Sequence, residues 1–280
     1  MGVRTTAMAA LVSATLAWSA AAASAQEISE QRIRAAIDDA ARGLGQAVAG
    51  GSPLIAPAGT TGGLGRFLVS AGVSITRVEI EDPQRPSGTT DFYLPTAGIS
   101  AAVGIMDGVD SGGAIGGLGS VDVMGRVGLV TARDEIEESE KRYMVGARLG
   151  LLRESGILPA VSVSLARSWT DEISYGEPDD VSFRGEVAVT SVRAEIAKRF
   201  LLVAPYAGAG IDRTRIEASY SIPAGLSTSG QVISGSVEPS SSHHTLYGGL
   251  DLSLLALTAS VEAGIYDGGG YAAVAVRTGL

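Results

Sequence analysis

Cysteine is absent from all 280 residues. That excludes disulfides, thiolate metal sites, thiol catalysis and a lipid-modified N-terminal cysteine together. Histidine is confined to the adjacent pair His243-His244, and aromatic residues make up only 5% of the chain. Beyond the first 25 residues there is no run of 18 apolar residues, so an α-helical membrane protein is not expected. Basic charge is in deficit. The formal charge is −9, and removal of Arg4 with an N-terminal leader takes it to −10. A nucleic-acid partner would require a basic face and is therefore disfavoured. Much of the acid clusters in two stretches, Asp134 to Glu140 and Asp171 to Asp180, which read as solvated loop tips.

What is abundant is glycine, 38 residues, and apolar side chains at 45%, with a mean hydropathy of +0.25. These values fit apolar residues placed at every second position. The C-terminal 35 residues show the pattern. Leu246, Gly248, Leu250, Leu252 and Leu254 share one face, then Leu257, Ala259, Val261, Ala263 and Ile265, then Ala272, Val274, Val276, Thr278 and Leu280. Small or polar residues lie between them. Strict alternation over about 9–11 residues with tight turns is the signature of a membrane-spanning β-strand.

Three regions are expected. Residues 1–25 carry Arg4, an Ala/Leu-rich stretch and Ala23-Ser24-Ala25, the pattern of a secretory signal cleaved before Gln26. Residues 26–65 form a periplasmic helix and linker. The helix is expected over 29–42, with Ser29 as N-cap, Ile33, Ile37, Ala40 and Leu44 on one face, and Gly43 and Gly45 as the stop. Its expected place is the barrel mouth or a leader, ahead of a plug inside the barrel. Residues 66–280 supply ten strand candidates. Residues 181–189 and 216–220 hold the opposite phase to the rest of strands six and seven. Either a bulge lies near Thr190, or these two strands project together beyond the bilayer. The expected fold class is thus all-β, an antiparallel transmembrane β-barrel of about ten strands, eight to twelve being compatible. A soluble periplasmic β-sandwich is the architectural alternative.

At its C-terminal strand the chain resembles bacterial outer-membrane β-barrel proteins, which end on apolar residues at alternate positions and usually a terminal aromatic residue. Val274, Val276 and Leu280 fit, whereas Thr278 and the non-aromatic Leu280 depart from the pattern. The resemblance implies an outer-membrane location, contact with its lipids, and recognition by the barrel-assembly machinery through this strand.

The predicted interior holds five acids and four bases: Asp122, Arg126, Arg148, Arg193, Glu195, Asp212, Asp251, Glu262 and Arg277. Near balance points to an ion-pair network filling a narrow barrel, or to a weakly selective polar path. His243 and His244, next to Ser240, Ser241 and Ser242, are read as solvated residues at the outer rim. A rim serine/histidine hydrolase is the low alternative. Asp107 to Gly113 has a calcium-loop flavour but lacks the closing Glu, so no metal and no cofactor are expected. Tyr93, Tyr143 and Trp169 fall where an aromatic girdle belongs. The function expected is that of a non-enzymatic outer-membrane barrel, structural or passively permeable. The alternative is a transporter of small or hydrophobic solutes with the N-terminal segment as hatch.

Overall fold

A computed structural model of the 280-residue chain describes residues 41–52, 54, 59–81, 89–109, 118–130, 140–175, 182–222 and 233–279. The expected signal region and most of the expected helix, residues 29–40, lie outside them.

Twelve strands are present among the described residues. They are β1 (Phe67–Glu81), β2 (Thr89–Met106), β3 (Val121–Val130), β4 (Glu140–Leu152), β5 (Ala160–Thr170), β6 (Ile173–Tyr175), β7 (Ser182–Ala197), β8 (Val203–Ile222), β9 (Ile233–Val237), β10 (Ser240–Leu254), β11 (Leu257–Tyr266) and β12 (Gly269–Gly279). Ten of them close a ring. β1 pairs antiparallel with both β2 and β12, the chain of neighbours continues around the sheet, and β7–β8 pairing completes it. Closure leaves no unpaired edge in the ring, the condition for a sheet to span a membrane. The short β6 and β9 are not staves. They flank the β7–β8 hairpin where it outgrows the ring.

That overgrowth resolves the irregular phase of strands six and seven. β7 and β8 pair without a register shift from Ala197↔Tyr206 to Ser182↔Ser221. Their outer neighbours stop earlier, β5 at Trp169↔Ala188 and β10 at Ser240↔Arg215. The six residues from 182 to 187 carry the hairpin about 20 Å farther. No bulge lies near Thr190. The register shifts in the ring fall instead at Gly104/Met106 and Gly150/Leu152. Val187, Val189 and Ile216 keep the alternation and point inward, where they are buried with Val78 and Leu94. The apparent phase change therefore records an interior that turns apolar at this height.

Strand ends define two rims. Leu201 and Leu255 stand at tight turns on the same rim as the first and last residues of the ring, Phe67 and Gly279. The strand ends that the longer connections join, Glu81 and Thr89, Val130 and Glu140, and Ile222 and Ile233, lie at the other rim. Short turns face the periplasm and long loops the exterior in outer-membrane barrels.

Around the ring the outward residues are apolar and exposed. Val73, Ile99, Val127, Val145, Leu165, Val192, Ile211, Leu250, Val261 and Val274 are examples from ten successive staves. An apolar belt that encircles a closed sheet has no stable place in water and requires lipid. At the loop rim Tyr143 stacks on Trp169, ring centroids 5.9 Å apart, and Tyr93 is exposed, so the three aromatics form a partial girdle. The protein is a barrel of the bacterial outer membrane.

Candidate functional site: a lumen filled by the chain itself

The core of this barrel is its lumen, and the lumen is occupied. Helix α1 (41–49) and the segment that follows it run down the inside of the ring. The mouth or leader position expected for the helix is thus corrected for the described residues. The expected glycine stops are corrected too. Helix α1 continues through Gly43 and Gly45 and ends at Gly50, whose φ of +59° is the left-handed conformation typical just past a helix end, with Gly50 N–H donating to Gln46 O at 2.8 Å. Gly43 and Gly45 serve close approach instead. A Cβ at Gly43 would lie 2.1 Å from Val78 Cγ1, and one at Gly45 would lie 1.9 Å from Thr214 Oγ1. With glycines and alanines on its surface, the helix is thin enough to fit a ten-stranded ring.

The threading has a direction. Gly43 lies against Val78, near the loop rim, where β1 pairs with Gly269. Gln46 Oε1 then accepts from Thr245 Oγ1 at 3.2 Å, deeper in the barrel. Leu54 O accepts from Ser70 Oγ at 3.2 Å, Gly59 O from Arg148 Nη1 at 2.7 Å, and Leu64 N donates to Asp107 Oδ1 at 2.6 Å at the turn rim. Taken in order, Gly43, Gln46, Leu54, Gly59 and Leu64 step from the loop end to the turn end, where β1 begins at Phe67.

All nine interior candidates are buried. They divide between two tasks. Three ion pairs tie staves together: Arg193 donates to Asp212 at 2.9 and 3.1 Å, Arg277 donates to Asp251, and Arg148 Nη2 lies 3.5 Å from Glu195 Oε2. The remaining three grip the threaded segment. Arg126 donates to Ala49 O at 3.3 Å and Ser52 O at 3.0 Å. Glu262 Oε1 accepts Ser52 N–H at 2.8 Å. Asp122 accepts both the amide and the hydroxyl of Thr61 at 2.8 Å. Arg193 also reaches Gly51 O and so joins both tasks.

Sequence reasoning missed Arg142, which is buried and donates to Ala47 O at 2.7 Å and Val48 O at 3.5 Å. The alternation Arg142, Met144, Gly146, Arg148 carried the signal, but strand four was expected to begin at Tyr143, three residues after β4 starts at Glu140. Arg126 and Arg142 together hold the carbonyls of the last turn of α1. A helix C-terminus presents unpaired carbonyls and the negative end of its dipole, so two guanidiniums there are well placed.

Three interior tyrosines were also unassigned. Tyr206 and Tyr271 donate to the two oxygens of Glu262 at 3.0 Å each, and Tyr247 donates to Glu195 Oε1 at 2.7 Å. Each ring covers a glycine directly opposite on the neighbouring stave: Tyr247 on Gly208, Tyr206 on Gly249 and Tyr271 on Gly264. A Cβ at any of these glycines would fall 2.3–2.4 Å from the ring. Part of the glycine excess is explained here, since only a bare backbone lets the ring lie flat against the wall.

The histidine reading is corrected. His243 is not a solvated rim residue. It is fully buried, with Nε2 3.5 Å from Asp212 Oδ2 and its ring beside Tyr266. Asp212 also accepts from Thr245 Oγ1 at 2.8 Å. A lipid substrate has no access to it. His244 alternates to the exposed outer face, where its backbone N–H donates to Asp267. Asp107, from the stretch with a calcium-loop flavour, bonds the linker at Leu64.

No family model and no curated protein matches this sequence. Among solved structures, the chain is similar to Ail, the attachment invasion locus protein of Yersinia pestis, at 12% identity over 78% of this chain and 99% of that one, with a TM-score of 0.36. It is similar to the translocator domain of the autotransporter NalP from Neisseria meningitidis at 12% identity, over 79% and 88% of the two chains, with a TM-score of 0.41. It is similar to the outer membrane protease OmpT from Escherichia coli at 9% identity, over 76% and 94%, with a TM-score of 0.39. Likeness at this level decides nothing about activity or site residues. The barrel rests on the strand pairing described above.

Proposed function

We propose that this protein is a non-catalytic outer-membrane barrel held closed by its own N-terminal segment. The observation that carries the reading is the clamp of Arg126, Arg142, Arg193 and Glu262 on the backbone of residues 47–52. These side chains hold the backbone directly, and the buried Leu44, Val48 and Leu54 add apolar contact. An aqueous path open at rest would need this segment elsewhere. In planar bilayers the intact chain should give no steady conductance. Sustained openings of the wild type, at a size matching an empty ten-stranded ring, would overturn the closed reading.

A second reading is hatch-controlled passage of a small solute. It is favoured by the polarity of the clamp, because each charge-assisted hydrogen bond contributes only about 1.5–3 kcal/mol net and a few side chains carry the grip. Openings that appear only when the clamp is weakened would select it over a purely structural barrel. We also propose that the assembly machinery reads β12 through the outward Ala272, Val274, Val276 and Thr278. Thr278→Phe, adding an aromatic to that outward row, should then raise the fraction inserted in cells.

A further inference from the structure

Below the threaded segment, at the turn rim, lies a cavity of about 330 Å³. Residues 59–62 of the linker roof it, and its wall includes Arg148, Arg277, Arg153 and Arg199. Glu154 is the carboxylate in that wall, and it is already engaged: Oε1 accepts Arg199 N–H at 2.6 Å and lies 3.7 Å from Lys198 Nζ. Asp251 and Glu195 stand behind Arg277 and Arg148 as their ion partners and do not line the cavity.

The two inner arginines have donors to spare. Arg148 and Arg277 are each more than nine-tenths buried, and Arg148 Nε and Arg277 Nη1 make no hydrogen bond among the described residues, while Arg148 Nη2 faces Glu195. One stave away the hydroxyls of Ser162 and Ser164 are equally without a partner. Buried polar atoms in native proteins are almost always satisfied, and a guanidinium presents its donors in a fixed fork suited to an oxyanion. The volume is about ten times the share of one liquid water and sits at the lower end of the range of small-molecule sites. It admits more than a bare inorganic anion.

We propose that this vestibule binds a small oxyanion from the periplasm, a phosphate- or carboxylate-bearing solute. Arg148 and Arg277 take its charged group on the floor, and Arg153 and Arg199 attract it at the mouth. The proposal builds on the threaded state, because the linker forms the roof. The two readings fail separately: conductance reports the threading, and ligand binding reports the vestibule.

The experiment is calorimetric titration of the full mature chain, folded in detergent, with inorganic phosphate in one arm and citrate in the other. Saturable binding in either arm supports the proposal and names the class, phosphate or carboxylate. Arg148→Gln and Arg277→Gln should each weaken it about tenfold, the loss of one charge-assisted hydrogen bond. Arg153→Gln/Arg199→Gln, which removes charge at the exposed mouth, should cost less and mainly at low salt. No saturable binding of either anion, a cavity filled by water only, overturns the proposal. So does undiminished affinity in Arg148→Gln and Arg277→Gln when both keep heat-modifiable gel mobility. Should either fail to fold, Arg153→Glu/Arg199→Glu decides. Lost binding supports the site, and unchanged binding overturns it.

Discussion

Replacing both clamp arginines, Arg126→Gln/Arg142→Gln, tests whether the guanidiniums hold the threaded segment. Four contacts to the segment are removed, at 2.7, 3.0, 3.3 and 3.5 Å, together with the bond from Arg126 Nε to Ser100 Oγ at 2.9 Å on the wall. Of the four, the two shortest count as full charge-assisted bonds, each worth roughly 1.5–3 kcal/mol, and the two longest as negligible. Their sum, already net of desolvation, is about 3–6 kcal/mol, which lowers the ratio of docked to released segment about 100- to 20,000-fold. Amide hydrogen exchange reads that ratio directly, even when the released state is rare. The Gly50 amide, bonded to Gln46 O at the helix end, is the reporter. Its protection should fall by that factor, while amides of the β1–β12 seam keep theirs. Unchanged protection of Gly50 in a folded double variant would refute the clamp. Equal loss across the whole barrel would show that the arginines support the ring rather than the segment.

Other outcomes follow from the same geometry. Gly51→Ala would place a Cβ 2.0 Å from Glu262 Oε1 and 2.8 Å from Tyr271. It should release the segment at a cost of roughly 1–3 kcal/mol, visible as lost Gly50 protection, and an unperturbed protection factor would contradict the placement. Thr60 and Ser120 hydroxyls lie 2.8 Å apart, so Thr60→Cys/Ser120→Cys in this cysteine-free chain should oxidise spontaneously and change gel mobility on reduction. Two freely alkylated thiols would put the linker elsewhere. Leu201 and Leu255 hold φ of 55° with side chains 95% and 108% exposed. Changing both to Gly removes left-handed strain of about 1–2 kcal/mol per residue, partly offset by chain entropy, and should raise the unfolding midpoint. A lowered midpoint would show that the two leucines are packed against lipid or protein. The descent from loop rim to turn rim predicts that an epitope placed immediately before Ala41 is reached by antibody on intact cells, whereas detection only after permeabilisation would reverse the thread.

Particular residues show what was legible. Period-two alternation told lipid-facing from interior positions, because a strand turns its side chain over at every residue and lipid tolerates only apolar ones. Val274, Val276, Asp251, Glu262 and Arg277 all lie on the faces the alternation assigned them. It failed where the interior is itself apolar, at Val187, Val189 and Ile216, since the rule presumes a polar lumen. It also failed at Gly43 and Gly45, which carry the same local signal whether they end a helix or let it pass close to Val78 and Thr214. Arg142 and His243 were lost at strand boundaries, where alternation is weakest.

The amino-acid order by itself pointed to an antiparallel ring, its approximate strand number, its lipid-facing surface and nine of the charges inside it, because each depends on patterns a few residues long. Only the tertiary structure decided what those charges are for. Ser52 meets Glu262 across 210 positions of the chain, and Gln46 meets Thr245 across 199. A lumen is made by staves brought together from the whole chain, and no local pattern encodes what fills it. The balanced acids and bases read as an ion-pair filling are, in the folded barrel, divided between pairing with one another and gripping the backbone of the chain's own leading segment.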